Sequence, residues 1–141
     1  MFKNPEPAAI ADLLKNAKTI AVLGLSPTPG RDSYRVASAL QGFGCRIVPV
    51  RPNVASILGE KAYPSLSAIP KILLSEIDLV NVFRAPEHVP AIVDECLQLG
   101  VRALWLQLGI VHEAAALRAV AGGMTVVMDR CTYVDYLRLV D

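Results

Sequence analysis

Five short segments of the chain are almost continuously apolar, and polar residues, glycine or proline separate them. Such runs are typical of strands in a parallel sheet, because helices cover both faces of that sheet and leave neither face in water. The predicted strands are TIAVLGL (19–25), RIVPV (46–50), IDLVNVF (77–83), RALWLQL (102–108) and TVVM (125–128). Lys61–Tyr63 is a candidate for a short edge strand.

Helical patterns fill the intervals between these strands. In one of them Val89, Ile92, Val93 and Cys96 recur with the spacing of a single helix face. The predicted helices cover residues 8–18, 33–41, 86–99, 112–121 and 132–140, with a helical turn at 65–70. This alternation predicts an α/β fold, namely a doubly wound Rossmann-like parallel sheet of five to six strands with helices on both faces. The length of 141 residues fits one domain over 1–141.

Composition and charge restrict the classes of function. The chain is 53% hydrophobic with a mean hydropathy of +0.42, and its formal net charge is only +1. This balance disfavours a nucleic-acid partner, and no apolar run reaches the roughly 18 residues of a membrane span. The N-terminus lacks the apolar segment of a signal peptide. Three cysteines without CxxC spacing favour a reduced, cytoplasmic protein without a metal site, and the surplus apolar surface leaves room for a homo-oligomer.

The loop after the first predicted strand has the composition of an anion site. Doubly wound folds bind ligands beyond the carboxyl ends of their strands. Glycine allows close backbone approach, hydroxyls donate hydrogen bonds, arginine pairs with phosphate, and the following helix presents its N-terminus. The candidate binding residues of this loop are Gly24, Leu25, Ser26, Pro27, Gly30, Arg31, Ser33 and Tyr34. The alternative is a rigid connector in which Asp32 or Ser33 caps the helix.

The other strand ends add candidates at the same edge of the sheet. Arg51 stands where an NAD-binding domain would have an acidic residue, and it suits the ribose phosphate of NADP or the 3′-phosphate of coenzyme A (CoA). A solvated arginine is the alternative. Gln107 interrupts an apolar strand, so either a ligand or a neighbouring loop must satisfy its amide. The candidates at these ends are Arg51, Pro52, Val82, Phe83, Arg84, Gln107, Leu108, Gly109 and Cys131.

Six stretches resemble, in order and spacing, the small stand-alone CoA-binding proteins, whose fold is that of the CoA-binding domain in the succinyl-CoA synthetase alpha subunit. They are GLSPTPGRDSY, IVPVRPN, ILGEKAYPSL, VNVFRAPEHVP, WLQLGIVHEAA and VVMDRC. The resemblance implies that CoA or an acyl-CoA binds with its pyrophosphate on Ser26–Ser33 and its adenosine phosphate near Arg51. It places Val82–Arg84 at the adenine side and Gln107–Gly109 along the pantetheine path. The family often has asparagine where Arg51 stands.

The three cysteines have different predicted surroundings. Cys131 follows the last strand, so it is predicted to be the cysteine nearest the thiol of the ligand, with a simple buried role as the alternative. Cys96 falls on the apolar face of a helix and is predicted core. Cys45 opens the second strand at the opposite edge of the sheet.

Three functions remain open on the sequence. The first is binding of CoA or an acyl-CoA without catalysis. The second is an NADP-dependent oxidoreductase or another nucleotide-binding Rossmann protein, which Arg51 permits but the absence of GxGxxG disfavours. The third is an interaction protein whose apolar surface serves assembly. No catalytic residue is predicted, since His88 and His112 lie near helix starts, where a hydrogen bond to the helix end explains them.

Overall fold

The computed structural model describes residues 1–140, and its central element is a five-stranded parallel sheet. The strands are β1 (Thr19–Leu23), β2 (Arg46–Val50), β3 (Ser56–Ile57), β4 (Glu60–Lys61), β5 (Leu79–Val82), β6 (Ala103–Leu106) and β7 (Thr125–Met128). Five of them pair in parallel in the order β2-β1-β5-β6-β7, while β3 and β4 form a separate antiparallel hairpin. The predicted doubly wound α/β fold is confirmed.

Helices cover both faces of this sheet. They are α1 (Pro7–Asn16), α2 (Asp32–Gly42), α3 (Lys71–Glu76), α4 (Val89–Leu99), α5 (Glu113–Ala121) and α6 (Thr132–Leu139), with short 3₁₀ turns at Leu66–Ala68 and Pro86–His88. Helices α1, α2 and α6 pack on one face, and α4 and α5 pack on the other. None of the helices in residues 1–140 combines the length and the apolar content that a bilayer crossing requires.

The sheet separates two hydrophobic cores, because alternate residues of each strand point to opposite faces. In β1, Ala21 and Leu23 belong to the core shared with α4 and α5, whereas Ile20 and Val22 belong to the core shared with α1 and α2. Trp105 of β6 is the largest fully buried side chain of the second core. Burial on both sides explains why the strands are continuous apolar runs rather than alternating ones.

Most predicted elements are present with slightly different ends. Strand β1 ends at Leu23 rather than at residue 25, because Gly24 has a φ of +78° that takes the chain out of the strand. The predicted helix 86–99 begins as a 3₁₀ turn, continues as α4, and ends where Gly100 adopts the left-handed conformation. The predicted turn at 65–70 contains the 3₁₀ turn. The sequence pattern does not predict α3.

The predicted edge strand Lys61–Tyr63 is wrong in its extent. Tyr63 reaches the sheet through a single parallel bridge to Val50, whereas Lys61 lies in the hairpin. Leu58 and Gly59 both have positive φ angles, 55° and 76°, and form the two-residue turn that reverses the chain between β3 and β4. The main sheet therefore has five strands, the lower of the two predicted numbers.

A buried polar cluster of Asn81, Gln107 and Thr132 joins the centre of the sheet to the start of α6. Asn81 Nδ2 and Gln107 Nε2 each donate to Thr132 Oγ1 at 3.2 Å, and the Thr132 N–H donates to Gln107 Oε1 at 3.1 Å. Thr132, the first residue of α6, therefore hydrogen-bonds both ends of the Gln107 side-chain amide, while contact of Gln107 with a ligand stays a prediction. Asn81 Oδ1 has no hydrogen-bond partner among the described residues.

Replacing Thr132 with valine should destabilise the protein, because two buried amide groups would lose their shared acceptor. Each unsatisfied buried group costs roughly 1–3 kcal/mol, so the free energy of unfolding should fall by about 2–5 kcal/mol. Urea denaturation measures this loss. Thr132→Ser is the matched control, since it keeps the hydroxyl. Equal stability of the two variants would contradict the role given to the hydroxyl.

Candidate functional site

The strand order creates a crevice between β1 and β5. The chain leaves β1 through α2 toward β2 on one side, and it leaves β5 through α4 toward β6 on the other. The loops that follow β1 and β5 therefore diverge. Open α/β sheets bind ligands at such a switch point, beyond the carboxyl ends of the strands.

Gly24 allows the loop after β1 to pass directly against the loop after β5. A Cβ atom at this position would lie 2.5 Å from the carbonyl oxygen of Phe83 and 2.9 Å from Cδ of Arg84. The Gly24 N–H donates to the carbonyl of Val50 at 3.0 Å, and the Phe83 N–H donates to the carbonyl of Leu23 at 2.8 Å. The ends of three strands are thus joined around one residue without a side chain.

Hydroxyl groups shape the loop from Gly24 to Ser33. The Ser26 N–H donates to Ser33 Oγ at 2.9 Å, and the Thr28 N–H donates to Ser26 Oγ at 3.1 Å. Ser26 and Ser33 are both buried. These bonds close the loop on itself and fix the position of the backbone that faces the crevice.

The N-terminus of α2 has no side-chain cap. The N-cap position is Arg31, whose side chain makes no capping hydrogen bond. The alternative in which Asp32 or Ser33 caps this helix is wrong, because Asp32 pairs with Arg35 and the Ser33 hydroxyl closes the loop. The Arg35 N–H makes the bond to the Arg31 carbonyl that begins the helix, so the N–H groups of residues 32–34 are not used within the helix. They add partial positive charge to this end of the crevice.

A polar cavity of about 610 Å³ opens beside this loop. Arg31, Arg51 and Arg84 line it, and none of them forms an ion pair with a carboxylate in residues 1–140, whereas five other arginines do. Arg51 Nη1 lies 3.4 Å from the carbonyl oxygen of Leu25, to which it donates. The rest of the lining is Gly24, Ser26, Gly30, Asp32, Ser33, Phe83, Ala85 and His88. Three guanidinium groups without carboxylate partners favour an anionic ligand.

Two further cavities extend the polar cavity along the same edge of the sheet. The rim cavity, of about 380 Å³, surrounds the end of β2 and is lined by Gly24, Val50, Arg51, Pro52, Asn53 and Arg84. The apolar cavity, of about 660 Å³, lies toward β6 and β7 and shares Asp32, Phe83, Arg84 and Ala85 with the polar cavity. Because Arg84 lines all three cavities, they adjoin one another, and we call them together the edge groove.

Most of the predicted binding residues line the edge groove. They are Gly24, Ser26, Gly30, Arg31, Ser33, Arg51, Pro52, Phe83, Arg84, Gln107, Leu108 and Cys131. The others, which do not line these three cavities, are Leu25, Pro27, Tyr34, Val82 and Gly109. The side chains of Leu25 and Val82 belong to the two cores, so these residues offer only backbone groups to a ligand.

Several lining residues are missed by the sequence pattern. Val36, Ile110 and Tyr133 line the apolar cavity, and His88 lines the polar cavity. Val36 and Tyr133 lie early in α2 and α6, so extending each strand-end candidate set into the following helix would have found them. The sequence does not mark Ile110 as a binding residue, because an apolar residue after a strand is equally expected in the hydrophobic core.

The two histidines differ in their helix-end contacts. His112 Nδ1 accepts a hydrogen bond from the Ala115 N–H at 3.1 Å, which confirms its predicted capping role. His88 makes no capping hydrogen bond with its side chain, so the same prediction is wrong for His88. The 3₁₀ turn that contains His88 places it instead in the lining of the polar cavity.

The three cysteines lie in the predicted places. Cys131 is half-buried and lines the apolar cavity. Cys96 is core, and burial raises the pKa of its thiol to about 12. Burial also raises the pKa of Cys45, whose Sγ donates to the carbonyl of Ala17 at 3.4 Å. The proximity of Cys131 to a ligand thiol stays a prediction.

An ion pair braces the loop that carries Cys131. Arg130 Nη2 donates to Asp135 Oδ1 at 2.8 Å, and this side-chain hydrogen bonding raises the pKa of the Arg130 guanidinium. Asp135 is almost fully buried, so loss of its partner would leave a buried charge. Trp105 Nε1 donates to the Arg130 carbonyl at 2.7 Å. These contacts fix the position of the chain next to Cys131, which lines the apolar cavity.

A separate cavity of about 550 Å³ lies at the opposite edge of the sheet, around Ile77 and Leu99–Arg102. Arg102 is paired there with Asp78 at 3.3 Å, so its positive charge is already compensated. In the described part of the chain, no group of three or more His, Cys, Asp or Glu residues could hold a metal ion.

Comparison with known proteins identifies the family. The sequence model of the CoA binding domain matches residues 18–136, and the chain belongs to that family. It is 41% identical to the uncharacterized protein YneT of Bacillus subtilis over 135 residues. That alignment covers 96% of this chain and 97% of YneT. It is 36% identical over 87 residues to acetate–CoA ligase (ADP-forming) II of Archaeoglobus fulgidus, which covers 60% of this chain but only 12% of the ligase.

Solved structures show the same fold. A hypothetical protein from Pyrococcus horikoshii superimposes with a TM-score of 0.89 at 29% identity, covering 99% of this chain and 97% of that one. A Thermus thermophilus protein gives a TM-score of 0.87 at 34% identity, covering 96% and 99%. The family and the Rossmann-like fold predicted from the sequence are therefore confirmed.

Replacing Gly24 with alanine should destabilise the protein for two reasons. The new Cβ would overlap the Phe83 carbonyl, and the alanine would have to adopt the positive φ of this position. We expect the free energy of unfolding to fall by about 2 kcal/mol or more in urea titrations. Gly30→Ala is the matched control in the same loop, since a Cβ there meets nothing within 4 Å. Similar losses in the two variants would show that the close approach at Gly24 is not required.

Proposed function

We propose that this protein binds CoA or an acyl-CoA in the edge groove, with the pyrophosphate of the ligand in the polar cavity. The observation that supports this most directly is the convergence of three arginines without carboxylate partners on the loop after β1. Membership of the CoA binding domain family supports the identity of the ligand. The Archaeoglobus relative is itself named as a ligase that uses CoA.

The polar cavity fits the phosphates of such a ligand. Phosphate oxygens accept hydrogen bonds from guanidinium groups and from backbone N–H groups at a helix N-terminus. Arg31 and Arg84 supply the first kind of donor, and residues 32–34 at the start of α2 supply the second. Gly24 keeps the intervening wall free of a side chain, so a phosphate can approach the backbone.

Arg51 is the proposed partner of the 3′-phosphate. It lines both the polar cavity and the rim cavity, so it can contact a phosphate that projects away from the pyrophosphate. Its contact with the Leu25 carbonyl positions the guanidinium before a ligand arrives. The same side chain suits the ribose phosphate of NADP, which is the alternative ligand. The closed, proline-containing loop after β1, without GxGxxG, favours CoA over a dinucleotide.

The proposed role is binding, and we assign no chemical step to the groove. All three cysteines are free thiols, as is usual in the reducing cytoplasm. We therefore place the protein in that compartment, where CoA and its thioesters are available as ligands.

Calorimetry with CoA, NAD and NADP tests the proposed ligand. CoA should bind at least about tenfold more tightly than either dinucleotide, because NAD has no ribose phosphate for Arg51 and the closed loop without GxGxxG disfavours a dinucleotide such as NADP. Thermal shifts should agree, since a ligand that binds only the folded state stabilises it in proportion to its occupancy. No heat with CoA at millimolar concentration, together with a clear NADP signal, would replace the proposal by the NADP alternative.

Arg51→Ala should weaken CoA more than dephospho-CoA, because only CoA carries the 3′-phosphate. The loss for CoA should be about 1–3 kcal/mol, as expected for a charge-assisted contact in a partly wet site. Arg46→Ala is the matched control, since Arg46 begins the same strand at the opposite edge, where it pairs with Glu76 at 3.7 Å. Equal losses for both ligands would show that Arg51 does not contact the 3′-phosphate.

A further inference from the structure

We infer that the apolar cavity binds the acyl chain of a CoA thioester, so that the protein prefers a medium-chain acyl-CoA to acetyl-CoA or free CoA. This inference rests on the proposed function, because it places the phosphates of the same ligand in the polar cavity. It goes further by naming the class of ligand and the residues that select it.

The lining of the apolar cavity is suited to a hydrocarbon chain. Its apolar and weakly polar members come from four different parts of the chain, and they are Val36, Phe83, Ala85, Leu108, Ile110, Cys131 and Tyr133. Its charged members are Asp32, Arg35 and Arg84. Asp32 and Arg35 pair with each other, and Asp32 and Arg84 also line the polar cavity. The charge therefore lies on the side where the two cavities meet.

The side-chain amide of Gln107, which lies in this lining, is already hydrogen-bonded within the protein. Gln107 is 2% exposed, and both ends of its side-chain amide are hydrogen-bonded to Thr132. Because it is buried and bonded at both ends, this amide offers little polar surface to a ligand in the cavity. A hydrocarbon chain is compatible with such a wall, because it has no polar atoms that need hydrogen-bond partners.

Continuity with the polar cavity identifies the occupant. The two cavities share Phe83, Arg84 and Ala85, so a ligand that is anionic at one end and apolar at the other can occupy both. An acyl-CoA has this order, because its phosphates, pantetheine arm and acyl chain follow one another along one molecule. A free fatty acid would place its only charge beside the arginines and leave most of the polar cavity and the rim cavity empty.

Two large side chains that line this cavity are exposed to solvent, and a bound acyl chain would cover them. Leu108 is 65% exposed and Tyr133 is 37% exposed, although both line the cavity. An acyl chain that emerges from the pantetheine arm would cover them and remove apolar surface from water. Each fully buried methylene should tighten binding by about fourfold.

Calorimetry with acetyl-CoA and hexanoyl-CoA tests the inference, because the two thioesters differ only in four methylenes. Hexanoyl-CoA should bind at least about tenfold more tightly, which allows for incomplete burial of the chain. The heat capacity change of binding should also be more negative for hexanoyl-CoA, since burial of apolar surface has that signature. Equal dissociation constants for the two thioesters would overturn the inference while leaving CoA binding intact.

Leu108→Asn locates the chain. This variant should reduce the ratio of hexanoyl-CoA affinity to acetyl-CoA affinity by at least about threefold, because a polar side chain would replace part of the apolar wall. Leu137→Asn is the matched control, since Leu137 is 59% exposed on α6 but does not line the cavity, and it should keep the wild-type ratio.

The remaining outcomes are also decisive. An unchanged ratio in Leu108→Asn, or an equal reduction in Leu137→Asn, would place the chain outside the apolar cavity and overturn the inference. Failure of the wild-type protein to bind CoA or either thioester would overturn the proposed function together with this inference. The two failures are thus distinguished by whether free CoA binds.

Discussion

The close approach of two strand ends at Gly24 is the constraint on which the candidate site depends. A side chain at Gly24 would overlap the Phe83 carbonyl, so the loops after β1 and β5 can meet only because this residue has none. Backbone hydrogen bonds from Gly24 to Val50 and from Phe83 to Leu23 fix the meeting point. From it, the backbone can turn toward α2 and present that helix N-terminus to the crevice. The positions of the groove walls follow from this contact.

The groove that results changes character along its length. Around Gly24 it is positively charged, because Arg31, Arg51 and Arg84 approach it from three different strand ends without carboxylate partners. Toward β6 and β7 the lining becomes mainly apolar, with Leu108, Ile110 and Tyr133 among its residues. A ligand with phosphates at one end and an apolar group at the other matches this gradient. The gradient therefore supports both the proposed ligand and the inferred preference for a thioester with a longer chain.

The sequence predicts the parts of the molecule that depend on local pattern. Burial on both faces makes the five strands visible as apolar runs, and the carboxyl ends of parallel strands must share an edge, so most groove residues could be predicted. The partner of Gln107 could not, because Thr132 meets it only through the fold. The same is true of the Ser33 hydroxyl, which closes the loop with Ser26 rather than capping α2. Hydrogen bonds that form only in the folded protein thus determine which polar groups remain available to a ligand.

Amide chemical shifts of the ¹⁵N-labelled protein, recorded during a titration with CoA, locate the ligand on the protein. The largest changes should fall on Gly24, Ser26 and Ser33, with Arg51 and Arg84 next, because these residues surround the polar cavity. The cavity around Leu99–Arg102 at the opposite edge provides an internal reference that should not respond. Changes concentrated around Leu99–Arg102, with the loop after β1 unaffected, would contradict binding of CoA at the polar cavity.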